Sequence, residues 1–302
     1  MKKFLLLLII ALVETKLFDC DVLIAKYGNK KLDRSVYSFE IVDGIKIAYR
    51  RIGQGELLVL IHGFMGNSSN FEVIFEKLSK DFTVVAIDLP GFGLSEKDPL
   101  KPLSKRYLAS VVSSLVDKLG FSSCSVLGHS MGGEVAMWVA LDKPSTVKKL
   151  ILVNSTGKVE ESTSYPNLLG IPFFQIFARL VFFNYWFLKK TWLDMLVVKE
   201  NFDEEYFLKN YSLMYRTPHK VIENLAKNSD TQLLIQKIEQ ITTPTLIIWG
   251  DRDFLVPLEN ALWFLEKIKN SKLLVINEAG HLPFIDKPEQ FANSVRSFLL
   301  EE

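Results

Sequence analysis

Gly128-His129-Ser130-Met131-Gly132-Gly133 follows the apolar run Ser125–Leu127 and precedes Glu134–Leu141, which reads as a helix. A serine held between two such glycines needs this strand–turn–helix setting, because the turn is tight enough to strain the serine backbone. The glycines relieve crowding where a Cβ would collide, and the Ser130 oxygen then stands exposed at the carboxyl edge of a sheet. Without a base and an acid elsewhere in the chain, the same six residues would be a Gly-rich turn with an incidental serine.

A serine nucleophile needs a base, and the base needs a group that orients it. Ala279-Gly280-His281 comes just after the strand-like run Leu273–Ile276. That is the carboxyl end of a strand, where sites of open α/β sheets lie. Gly250-Asp251-Arg252-Asp253 follows the run ending at Trp249. Both aspartates are candidates for the orienting acid; Asp253 is preferred, with Asp251 as a turn or salt-bridge residue. The chain order Ser130…Asp253…His281 fits a nucleophile–acid–base set. His62-Gly63-Phe64 follows the run Leu57–Ile61, where a second oxyanion donor belongs. The Phe64 N–H would join that of Met131, the residue after Ser130. His62 is the rival base, but reads better as a loop-shaping residue. His129 reads as structural beside the turn, and His219 as a solvated or capping residue.

Working outward, Phe39–Val42 and Ile45–Tyr49 flank Asp43-Gly44 and read as a hairpin. Short, almost wholly apolar runs follow at Leu57–Ile61, Val84–Ile87, Ser125–Leu127, Leu150–Val153, Thr245–Trp249 and Leu273–Ile276. Runs buried on both faces mark central strands of a parallel sheet. Tyr107, Val111, Leu115 and Leu119 recur at helical spacing, as do Phe291, Val295, Phe298 and Leu299. Strand alternating with helix predicts an α/β domain, a mostly parallel sheet with helices on both faces. The rhythm breaks between 155 and 235, which hold 15 of the 36 aromatic residues. Leu168–Leu188 is strongly apolar, but Pro172 and Arg179 disfavour a membrane span. A helical insertion packed over the sheet is expected there, dividing the core into 26–154 and 236–302. Phe173 and Phe177 fall four residues apart and are candidates to line a substrate channel.

Composition narrows the function classes. Lys plus Arg total 36 and Asp plus Glu 35, so the chain lacks the basic excess that backbone-driven nucleic-acid binding needs. Two cysteines and four histidines without HExxH spacing provide neither a disulfide framework nor a zinc-protease signature, and no metal site is expected. Met1-Lys2-Lys3 precedes ten unbroken apolar residues, Phe4–Val13. As a helix this run would rise about 15 Å, half of a hydrocarbon core of about 30 Å. Residues 1–25 therefore read as a signal peptide or a membrane-associated helix, although no A-x-A cleavage triplet follows. Export or membrane attachment is expected, with a cytoplasmic protein as the alternative.

Taken together, His62-Gly63-Phe64, Asp88-Leu89-Pro90-Gly91-Phe92-Gly93-Leu94-Ser95, the Ser130 turn, Gly250-Asp251-Arg252-Asp253 with Pro257, and Gly280-His281 resemble the α/β-hydrolase fold family. The likeness is to its capped branch of esterases, lipases and peptidases, and it covers residues 38–300 apart from the insertion. It implies a Ser130–His281–Asp253 triad, the Gly-x-x-Asp-x-x-x-Pro spacing selecting Asp253, and an insertion that forms a helical cap. Ser130 departs from the epoxide hydrolases and haloalkane dehalogenases of that branch, which place an aspartate there. The expected activity is hydrolysis of small-molecule carboxylic esters with an apolar acyl or alcohol part, without a cofactor. Carbon–carbon bond hydrolysis or aminopeptidase action on the same triad is the alternative, with Glu204 and Glu205 available to hold a substrate amine. A non-catalytic binding protein is a more distant one. One fold serves many reactions, so the site and not the fold must carry the assignment.

Overall fold

The computed structural model describes residues 33–98, 101–158 and 185–301. Asp43 and Gly44 both adopt positive φ, 49° and 75°. This is the backbone that a two-residue hairpin loop demands, and it joins β1 (Ser38–Val42) to β2 (Ile45–Ile52). The sheet continues through β3 (Leu57–Ile61), β4 (Thr83–Ile87), β5 (Cys124–His129), β6 (Val147–Val153), β7 (Thr245–Gly250) and β8 (Ser271–Ile276). Its eight strands run in the order β1-β2-β4-β3-β5-β6-β7-β8. The pairs β1–β2 and β2–β4 are antiparallel and all the others parallel.

Both faces are covered. Along β3, Val59 and Ile61 belong to one buried cluster, and Leu58 and Leu60 to the other. The first cluster is closed by α2 (Lys105–Lys118), α3 (Met131–Asp142) and α8 (Leu258–Lys267). The second is closed by α1 (Glu72–Leu78), α9 (Pro283–Asp286) and α10 (Pro288–Leu300). The helix predicted from Tyr107, Val111 and Leu115 is α2, started by Ser104, whose hydroxyl accepts the Tyr107 N–H at 3.1 Å. One strand departs from expectation. Leu273–Ile276 reads as central, but β8 is the edge of the sheet and only Ile276 in it is buried.

Between β6 and β7 lie α4 (Tyr185–Met195), α5 (Glu204–Tyr215), α6 (His219–Lys227) and α7 (Thr231–Lys237). A helical insertion is therefore present, but a boundary at 235 would cut through α7, and the core resumes only with β7. Tyr185, Trp192, Phe207 and Tyr211 of the insertion are buried and join the second core cluster, ring against ring. These aromatics anchor the insertion to the core. Among the described residues, no helix is long and apolar enough to cross a membrane. Residues 1–25, Phe173 and Phe177 lie outside the described residues.

Candidate active site

Strand β5 ends at His129, and Ser130 turns the chain straight into α3 with φ 52° and ψ −122°. A non-glycine residue held there is strained and persists only where its surroundings over-determine it. Here the Ser130 N–H donates to Val153 O at 2.9 Å, and Ser130 O accepts from Gly133 N at 2.9 Å and Thr156 N at 3.2 Å. The neighbouring glycines are demanded by contact. A Cβ at Gly132 would sit 2.3 Å from Ile61 O, and one at Gly128 would sit 2.2 Å from Gly132 O. Strand β3 therefore runs close against the turn. A Cβ at Gly63 would lie 3.0 Å from that of Ser130, which brings the His62-Gly63-Phe64 loop beside the serine.

Asp253 follows β7, and His281 follows β8. His281 Nδ1 lies 2.7 Å from Asp253 Oδ2, and both residues are buried. The other bonds of the carboxylate come from Asn154 Nδ2 to Oδ2 at 2.7 Å, and from Leu255 N at 2.8 Å and Val256 N at 3.1 Å to Oδ1. Burial alone would raise the Asp253 pKa. The His281 bond and charge, with Asn154 and Val256, outweigh it and hold the carboxyl below its ordinary value. The acid stays ionised, its lone pairs are occupied, and the histidine proton is directed to Nδ1. With the ring proton on Nδ1, the lone pair is on Nε2.

Asp251 has a different task. Its Oδ1 accepts the Ala279 N–H at 3.1 Å, bracing the loop that carries His281. Of the two aspartates, Asp253 is the one bonded to His281, and Asp251 is bonded to the backbone of the loop before His281. His62 is tied to the backbone on both sides of its ring. Its Nδ1 donates to Gly63 O at 2.7 Å and its Nε2 accepts the Leu89 N–H at 3.0 Å, so both ring nitrogens are committed. His129 Nε2 donates to His281 O at 2.8 Å, and burial drives its pKa down to about 3, so it is a neutral strut between the serine turn and the histidine loop. His219 is exposed in the first turn of α6.

Among the described residues, neither the Phe64 N–H nor the Met131 N–H has a hydrogen-bond acceptor. Both flank Ser130, one through the β3 loop and one as the first residue of α3. Phe64 is about half exposed, as are Phe254 and Leu255 next to Asp253 in sequence, so apolar side chains face solvent beside these residues. Glu204 is bound to Lys189 and to the Tyr185 hydroxyl.

Sequence reasoning missed two residues. Asn154 has φ 43°, is fully buried, and spans the Asp253 carboxylate and the Gly250 N–H. Asp286 takes the Gly280 N–H at 2.8 Å on one oxygen and those of Val197 and Val198 on the other. It thereby ties the histidine loop to the insertion. No local pattern marks either residue; Asn154 is explained by its distant partners Asp253 and Gly250, and Asp286 by its bonds to Val197 and Val198.

Comparison with known proteins agrees with this architecture. The family model described as alpha/beta hydrolase fold matches residues 56–288. Lipase 1 of Psychrobacter immobilis is 29% identical over 290 residues, covering 91% of this chain and 87% of that one. An uncharacterized hydrolase of Bacillus subtilis is 27% identical over 269 residues, covering 85% and 96%. Among solved structures, a bacterial membrane phospholipase A aligns with a TM-score of 0.75 at 26% identity, covering 99% of this chain and 98% of that one.

Proposed function

Since the chain belongs to the α/β-hydrolase fold family, we propose that this hydrolase is a serine esterase acting on carboxylic esters with an apolar acyl or alcohol part. The observation that carries the proposal is the buried Asp253–His281 pair, strapped by His129 to the strained Ser130 turn. Ser130 Oγ attacks the ester carbonyl carbon while His281 Nε2 takes the hydroxyl proton. The Phe64 and Met131 N–H groups receive the oxyanion. When the tetrahedral intermediate collapses, His281 returns the proton to the departing alkoxide and an acyl-enzyme remains. Water then repeats the sequence and releases the acid. Asp253 holds the imidazole tautomer and stabilises the imidazolium, remaining ionised throughout.

The apolar preference rests on the exposed side chains of Phe64, Phe254 and Leu255 and on the aromatic-rich segment that holds Phe173 and Phe177, to which we assign the acyl chain. Burial of each methylene at about 0.8 kcal/mol predicts a rise of about fourfold in kcat/KM per carbon until the site is full. Nitrophenyl esters from two to twelve carbons test this, and a flat or falling profile rejects an acyl site. Aminoacyl amides turned over faster than the esters would reject the esterase reading.

We further propose that residues 1–25 attach the protein to a membrane or direct its export. The Lys2-Lys3 start and the apolar run support this, as does the likeness to a membrane phospholipase. Full-length protein is expected in the membrane or exported fraction of its own cells, and a form lacking 1–25 is expected to be soluble and active. Quantitative recovery of the intact chain in the cytosol overturns this.

A further inference from the structure

Two stretches of chain join the insertion to the core near the serine turn, one leaving β6 and one returning through α7. Both are tied to a single buried carboxylate. Glu134 lies in the first turn of α3, four residues after Ser130, and is 4% exposed. Its Oε1 accepts the Thr156 hydroxyl at 2.6 Å, and its Oε2 accepts the Thr231 hydroxyl at 2.6 Å. Thr156 is on the departing stretch, and Thr231 opens α7 on the returning one. Lys105 Nζ stands 3.9 Å from the same Oε2 and donates to Thr231 Oγ1 at 3.2 Å and to Ser229 Oγ at 3.0 Å. One carboxylate thus holds both roots of the insertion.

The departing stretch also touches the candidate catalytic residues. Asn154 Nδ2 donates to Asp253 and the Thr156 N–H to Ser130 O. Between them, Ser155 packs so tightly on α3 that a Cβ at Gly133 would meet its Oγ at 1.9 Å. Residues 154–156 therefore form a crosspiece from the acid to the serine turn, and Glu134 fixes the end nearest the serine. A buried carboxylate used only to support α3 would have no reason to collect one hydroxyl from each root.

We infer that Glu134 is a positioning residue, through which the seating of the insertion sets the backbone of the Ser130 turn. The inference rests on the reading of Ser130 as the nucleophile. With Thr231 seated, Glu134 is held from both sides and Thr156 keeps its N–H on Ser130 O. With Thr231 released, the carboxylate can turn toward Lys105 and the crosspiece loses its fixed end. A misplacement of about 1 Å at a reacting centre can cost about a hundredfold, so a fraction of that shift is enough to be read kinetically.

The test is the second-order rate of labelling by a fluorophosphonate probe, which reads the reactivity of the serine independently of the natural ester. It is measured for the full chain and for Glu134→Gln, Glu134→Ala, Thr231→Val and Ser130→Ala, with the melting temperature of each. Loss of both bonds to a charged acceptor in Glu134→Ala is expected to slow labelling by about tenfold or more. Glu134→Gln, which retains one carbonyl oxygen and a shape close to the original, is expected to recover part of the loss. Thr231→Val is expected to slow labelling by about threefold, because one bond to the carboxylate is removed and its isosteric replacement leaves packing intact. If Glu134→Ala does not fold, Thr231→Val carries the test. Wild-type labelling rates in Thr231→Val and in any folded Glu134→Ala, whatever their melting temperatures, overturn the inference. Unchanged labelling of Ser130→Ala would instead overturn the nucleophile assignment on which it rests.

Discussion

Ser130→Ala is expected to lower ester turnover by about 10⁶-fold, because nucleophile, base and acid act as a unit and only oxyanion and binding contributions survive the loss of one. The fold should tolerate the change. The Ser130 side chain caps no helix, and the turn is held by the Ser130 N–H bond to Val153 O and by the N–H groups of Gly133 and Thr156 on the Ser130 carbonyl. An alanine at φ 52° bears the same strain that the serine already bears. The melting temperature is therefore expected to stay close to that of the parent while activity disappears. A Ser130→Ala protein that keeps a tenth of parental turnover would show that another group attacks the carbonyl.

Asp253→Asn is expected to cost about 10⁴-fold in turnover while leaving the loop in place. The carboxamide oxygen can still accept from Leu255 and Val256, which donate to Oδ1 in the native loop. Its amino group then faces both Asn154 Nδ2 and His281 Nδ1, where the carboxylate received two donors. To accept a hydrogen bond from it, His281 must carry its proton on Nε2, and that tautomer cannot take the proton of Ser130. Asp251→Asn retains a carbonyl oxygen for the Ala279 N–H. Exchanging a charged acceptor for a neutral one in that single bond should cost less than about tenfold. Steady-state turnover of the two variants on one ester decides the matter. Reversed behaviour would make Asp251 the orienting acid.

What could be read from the sequence is local or periodic. The Ser130 turn was legible because a strand, a turn and a helix leave their marks side by side between Cys124 and Asp142. The glycines are needed there for contacts that the structure locates in Ile61 O and Gly132 O. His281 and Asp253 were legible because each follows an apolar run at the edge where such sites lie. The β8 run has the composition of a central strand, and nothing within it tells that, among the described residues, no further strand pairs beyond it. Asn154 was silent because its partner is 99 residues away. Glu134 reads as an ordinary acidic residue in a first helical turn, and its meaning depends on Thr231, which lies 97 residues further on. Pattern finds what neighbours in sequence determine; polar bonds between distant loops appear only in the folded chain.

The central claim is that Ser130 is acylated. It is tested most directly by mass spectrometry of the full chain after brief exposure to a slowly deacylating nitrophenyl ester, followed by peptide mapping. One acyl group per chain is expected, carried by the peptide containing Ser130 and on its hydroxyl. Rapid ester turnover with the acyl group on another residue would contradict it.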